Sequence, residues 1–271
     1  MAAPQSKKAP CFECGILSGL VVTAGLNPWD RAIYLSVIND RPFLSRENFR
    51  DPYRGLSQTL FGRAVSSGIF FPLEDAYSKL FDSAVLGGQA AGVTMGVVLN
   101  PLSLIKYQTW GASEDKRSFL KVARYMHRHA GASGFTRGMI ATGARDAIFG
   151  SVFSFRKVVA VDEDSISRFG IGMLAAGLAT VCSSPFNFIR NMAYAQPPQY
   201  PMDSVKDRVA FWNLTVQDLV KGASHGSILE RISYLQRSLA IGWGTLRVAV
   251  GMAATDHIYT TCAQTCIMWE Y

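Results

Sequence analysis

Charge is scarce in this chain. Only 17% of its 271 residues are Asp, Glu, Lys or Arg, while 49% are hydrophobic and 24 are glycine; soluble domains carry roughly 25% charge. The shortage fits burial in lipid, although composition alone also permits a large α/β or all-helical soluble enzyme. No run of Lys and Arg interleaved with aromatics occurs, so the net charge of +7 forms no nucleic-acid footprint. Its partner is sought among acidic lipids and anionic solutes. No GxxxxGK[ST] or GxGxxG element follows a strand pattern. His127 and His129 lie in a basic stretch, and His225 and His257 have no Ser or Cys partner in a nucleophile motif. The expectation is a protein that is not an enzyme, with no catalytic residue and no cofactor.

Cysteine is also sparse. Cys11, Cys14, Cys182, Cys262 and Cys266 make an odd set in no disulfide-framework spacing, which suits a reducing or membrane-buried setting. Cys11-x-x-Cys14 is half a zinc motif, but no second CxxC or paired His supplies the remaining ligands, so no metal is expected. Lys7 and Lys8 lead into a motif-bearing helix and not a secretory h-region, which predicts no cleaved presequence.

Two stretches, Ser83 to Ile105 and Phe169 to Ile189, carry no charge and match a bilayer span in length. Cys14 to Trp29 is shorter. Ala64 to Leu73, Ala147 to Phe155 and Val248 to Thr255 are apolar but flanked by charge. Hydropathy alone predicts two or three spans.

Internal repeats raise that number. Pro28, Pro101 and Pro185 each follow a glycine by thirteen residues (Gly15, Gly88, Gly172) and a small residue by nine (Gly19, Gly92, Ala176). Small residues four apart let helix backbones approach closely, which in lipid is a packing device. Beyond each proline the pattern reads Pro28-Trp-Asp30-Arg-Ala-Ile33, Pro101-Leu-Ser103-Leu-Ile-Lys106 and Pro185-Phe-Asn187-Phe-Ile-Arg190. Tyr53-Arg54-Gly55 is echoed by Thr136-Arg137-Gly138 after Phe135, and in the third copy by Tyr234-Leu235-Gln236. Asp75 and Asp256 each lie twenty-two residues past the tyrosine, with Val158 at the second-copy position. Each copy reads as an apolar helix, a proline kink, a polar connector with an amphipathic helix, and a second apolar helix. Six spans follow. The third connector holds Pro197, Pro198 and Pro201, which predicts an extended loop before a connector helix over Phe211 to Leu219.

Three P-x-[DE]-x-x-[KR]-like motifs, each followed by an aromatic-basic-glycine triplet, resemble the mitochondrial carrier family over nearly the whole chain. The stretch from Tyr53 to Asp75 carries the likeness best. The resemblance implies an all-α, multi-pass protein of the mitochondrial inner membrane. Residues 1–271 would form one domain of repeats 11–82, 83–162 and 163–271, with six tilted helices in threefold pseudosymmetry and short connector helices on the matrix side. It implies a matrix gate pairing Asp30 with Lys106, Ser103 with Arg190, and Asn187 with Ile33, the last without polar contact. At the opposite, cytoplasmic gate Asp75 and Asp256 remain, but the basic positions three further on are Ser78, Val161 and Tyr259, with Lys79 one residue away.

The implied solute-contact positions, seven past each triplet, fall on Gly62, the Arg145–Asp146 pair and Trp243, with Arg63 and Arg247 nearby. An arginine followed by an acid there resembles carriers of amino acids, because a zwitterion needs one cation and one anion. The local reading is a pair neutralising itself inside a helix bundle. Two functions are expected. One is exchange of a small anionic or zwitterionic metabolite. The other is a transport-inactive structural or accessory subunit of a larger inner-membrane complex, contacting neighbouring subunits. Anionic membrane lipid, cardiolipin included, is an expected partner in both, and nucleic acid in neither.

Overall fold

The computed structural model describes residues 12–111, 118–154, 165–200 and 202–269, and among them the chain is helical with no strand. The long helices are α1 (Phe12–Ile38), α2 (Leu56–Phe81), α3 (Ala84–Val98) running into α4 (Asn100–Gly111), α6 (Met139–Ser154), α7 (Ser165–Ala195) and α10 (Trp243–Trp269). Between them lie α5 (Phe119–Ala130), α8 (Val205–Ser224), α9 (Ile228–Ser238) and two single 3-10 turns at Arg46–Phe49 and Ser133–Thr136. Contacts run from α1 to α2, α2 to α3, α3 to α6, α6 to α7, α7 to α10 and α10 back to α1, a closed ring.

The three prolines act differently. Pro28 and Pro185 lie inside continuous helices, whereas beside Pro101 the helix breaks at Leu99 and turns by 57° into α4. Pro101 has no N–H to donate and crowds the preceding turn, which disfavours helical geometry just before it. By length and apolarity Gly170–Ala195 could cross a membrane as one helix, and Val85–Val98 with Asn100–Gly111 could do so as a bent pair.

Packing is uneven. The large buried side chains gather where the connectors meet the helix ends: Leu104, Ile105, Val122, Met126 and Tyr194 form one cluster, Tyr34, Leu35 and Trp110 a second, and Ala193, Met202 and Phe211 a third. Helix α5 joins the first through Val122 and Met126, one turn apart on one face, while Lys121 and Arg128 point to solvent. On the ring helices the order is inverted. Leu17, Val21, Leu86, Val97, Val98, Leu174 and Leu178 are exposed, whereas Thr23, Asn27, Asn100, Thr142, Ser183 and Ser184 are buried.

One contact recurs between copies. The asparagine before the proline reaches the carbonyl three residues before the connector glycine: Asn27 Nδ2 donates to Pro52 O (2.9 Å) and Asn100 Nδ2 to Phe135 O (2.8 Å). Gly55 and Gly138 stand in the left-handed region (φ 75° and 68°) directly before α2 and α6, and a β-carbon would meet Trp110 at 2.8 Å and Tyr194 at 2.6 Å. Both glycines are therefore demanded twice, by φ and by space.

That geometry corrects the third triplet. Tyr234-Leu235-Gln236 lies within α9, and the left-handed glycine immediately before α10 is Gly242 (φ 97°). The sequence signal misled because Ala240 and Ile241 carry neither the aromatic nor the basic group, while Tyr234 mimics the aromatic. Trp243 therefore opens α10 and does not sit in its interior, and the residue seven past the glycine is Ala249.

Candidate functional site: a charged cluster inside the helix ring

Helices α1, α2 and α10 bring together Asp30, Arg63 and Arg247. Asp30 Oδ2 accepts from Arg247 Nη2 at 2.5 Å, with both side chains largely buried. Arg63, one helical step from Gly62, reaches from α2 to α1, where its Nε donates to the buried Thr23 hydroxyl at 3.1 Å. Its charged neighbours are Arg247 and Asp30. Two guanidinium groups and one carboxylate leave the cluster one positive charge in excess.

Helix α6 holds the other pair. Arg145 donates through Nε (2.7 Å) and through Nη2 to the same oxygen of Asp146. Asp146 packs against α3: a β-carbon on Gly96 would meet its Oδ2, and one on Gly92 its backbone carbonyl. The two glycines make the room Asp146 occupies, so the pair is self-neutralised and fixed at the α3–α6 seam.

The expected connector-side pairings rearrange. Asp30 pairs with Arg247 and not with Lys106, whose ammonium lies 4.6 Å from the ring centroids of both Tyr107 and Trp110. Cation–π contact with two rings replaces the ion pair. Arg190 donates to Tyr107 Oη (3.0 Å) and Asn191 Oδ1 (3.2 Å), not to Ser103, and stacks near Tyr194. Asn187 and Ile33 are half-buried. Gly62 faces Leu102 of α4, and Trp243 stacks on Phe43 with ring centroids 4.6 Å apart and meets Trp29 edge-on, so both are packing residues. Asp75 lies in α2 and Asp256 in α10, while Val158, Val161 and Cys11 fall outside the described residues.

Sequence reasoning missed the polar lock under the ring. Asn100 Oδ1 accepts from Tyr194 Oη (2.7 Å) and Thr142 Oγ1 (3.3 Å), while Arg137 spends its guanidinium on the carbonyls of Pro197, Pro198 and Tyr200. The Asn-Pro dipeptides at 27–28 and 100–101 were the available signal. A cavity of about 270 Å³ beside this lock is lined by Tyr34, Tyr107, Gln108, Tyr125 and other uncharged residues.

Comparison with known proteins finds mitochondrial carriers. Residues 80–157 match the family model described as mitochondrial carrier protein. The chain is 23% identical to the mitochondrial 2-oxodicarboxylate carrier of Pongo abelii, over 66% of this chain and 67% of that protein. It is 24% identical to the mitochondrial glycine transporter of Yarrowia lipolytica, over 52% of this chain and about half (54%) of the relative. The mitochondrial glycine transporter of Aspergillus niger is 26% identical, over 88% of both chains. With repeated proline motifs, recurrent asparagine and glycine contacts and these similarities together, the chain resembles the mitochondrial carrier family, whose model matches it over residues 80–157.

Proposed function

We propose that the chain spans the mitochondrial inner membrane six times, as repeats 11–82, 83–162 and 163–271, and exchanges a small carboxylate-bearing metabolite through the ring. The inverted polarity of the ring helices supports the membrane placement, because apolar side chains facing outward suit lipid and buried amides and hydroxyls suit a polar interior. The basic outer faces of the connectors, such as Lys121 and Arg128 of α5, suit anionic headgroups, cardiolipin among them.

The observation that carries the transport reading is the cluster of Arg63, anchored by Thr23, with Arg247 and Asp30, two guanidinium groups against one carboxylate. A guanidinium edge binds a carboxylate through paired hydrogen bonds. The named substrates of the relatives, a 2-oxodicarboxylate and glycine, share that group. A dianion would draw on Arg247 as well, and a zwitterion would offer its ammonium to Asp30. A cation in excess within this cluster weighs for a carrier and against the transport-inactive scaffold, as do relatives named as carriers and transporters.

Uptake of radiolabelled glycine and of a 2-oxodicarboxylate into proteoliposomes tests this. Arg63→Ala is expected to lower uptake at least about tenfold, and Arg63→Lys to restore part of it. Wild-type protein that takes up neither solute, or an Arg63→Ala variant as fast as wild type, overturns the reading.

A further inference from the structure

The first and last ring helices are joined at two heights. Near the connectors Asp30 pairs with Arg247, and at the other end Cys14 of α1 is disulfide-bonded to Cys262 of α10, with Cα atoms 5.6 Å apart. The sequence expectation of unpaired cysteines is thereby corrected: the partners stand 248 residues apart, and only the closing of the ring brings them together. The antiparallel register of α1 and α10 agrees at both links, and at 1.5 Å rise per residue they lie about 23 Å apart.

The register gives the disulfide its meaning. Counted from the left-handed glycines, Cys262 stands twenty residues past Gly242, as Asp75 stands past Gly55 and Val158 past Gly138. A cysteine thus occupies the third-copy position whose first-copy counterpart is an acid. Three residues on, the first copy has Ser78, followed by Lys79, and the third has Thr265. At this level a covalent bond crosses the α1–α10 seam.

We infer that the Cys14–Cys262 disulfide is a redox latch at the end of the ring away from the connectors, holding α1 against α10 while oxidised and freeing that end when reduced. The inference rests on the carrier reading, since only a protein that opens at this end needs a latch there. A salt bridge can break and re-form in every cycle, whereas a disulfide opens only by thiol exchange. Cys14 is fully buried and Cys262 half-exposed, so a small dithiol attacks Cys262 Sγ. That attack forms a mixed disulfide and expels the Cys14 thiolate, which takes up a proton. The second thiol of the reductant then closes on the mixed disulfide, leaves as a cyclic disulfide and releases the Cys262 thiol. Two electrons pass to the broken bond, and the dithiol's two protons end on the two cysteines. A small disulfide oxidant runs the exchange backwards and closes the latch.

The full chain, purified in detergent without reductant, is alkylated with N-ethylmaleimide and digested, and deuterium exchange is followed with and without dithiothreitol. The latch predicts a Cys14 peptide joined to a Cys262 peptide. It also predicts exchange accelerated about tenfold on reduction in residues 12–20 and 255–262 while residues 119–130 and 205–224 stay unchanged. A Cys14→Ser/Cys262→Ser variant should exchange quickly at that end under both conditions. Cys14 and Cys262 both found alkylated before reduction, or exchange indifferent to reduction, overturn the latch. Acceleration spread equally through the connectors also overturns it, by showing a general brace. Exchange is read without any solute, so a failure of uptake strikes the carrier reading and not this measurement.

Discussion

The two ends of the α1–α10 seam are built from opposite chemistries. At the connector end Asp30 and Arg247 meet within a set of asparagine, tyrosine and arginine contacts, each reversible. At the far end a covalent bond joins Cys14 to Cys262. A link that must break in step with solute movement is best made of charge, because a bound carboxylate can compete for the same guanidinium. A link that must persist until its surroundings change is best made of sulfur.

Breaking the covalent end should have the largest effect. Removing both cysteines, or reducing wild type, is expected to lower stability by about 2–5 kcal/mol, because the bond closes nearly the whole chain into one loop. Thermal unfolding in detergent with and without dithiothreitol measures it, and the double Ser variant should show no response to reductant. Next comes the ionic end. Asp30→Ala leaves the Arg247 guanidinium partly buried without its acid, at a cost of about 2–3 kcal/mol, whereas in Asp30→Asn/Arg247→Gln neither partner keeps a bare charge. The double variant should unfold at a higher temperature than Asp30→Ala alone, and the reverse order would mean that the pair adds little at this end.

A smaller loss sharpens the same contrast. Tyr194→Phe removes the hydroxyl that donates to Asn100 and is expected to cost about 1 kcal/mol, read by denaturant titration, with no change in deuterium exchange at residues 12–20. The least effect belongs to acid. Asp207 and Glu230 each close a capping box, with Ser204 and Ser227, and those hydrogen bonds hold both carboxyls below their usual range. A carboxyl depressed in the fold contributes stability above its unfolded pKa and loses it as pH falls through the folded value. Exchange in α8 and α9 should therefore quicken only below about pH 4, and the disulfide end should not respond to pH there.

Much of this was legible in order along the chain. The three prolines and the Tyr53 to Asp75 stretch pointed to helices and their boundaries because they record local demands. A proline without an N–H and a glycine in left-handed geometry are visible in one dimension. Arg63 and Arg247 were noticed as neighbours of the expected contact positions, but a linear count could not tell which step of the helix faces inward. The third triplet was misplaced for a related reason. Tyr234 kept the side-chain signal, whereas Gly242 kept the backbone conformation that starts α10.

What the sequence by itself determined is the sort of element present: apolar helices short of charge, interrupted beside Pro101 and joined by amphipathic connectors. Those properties depend on residues within a few turns of one another. What only the tertiary structure decided is partnership. Asp30 chose Arg247 over Lys106, Lys106 settled over two aromatic rings, and Cys14 met Cys262 across 248 residues. Each choice depends on which helix faces closing the ring brings within a few ångströms, a global constraint that no local pattern in the chain encodes.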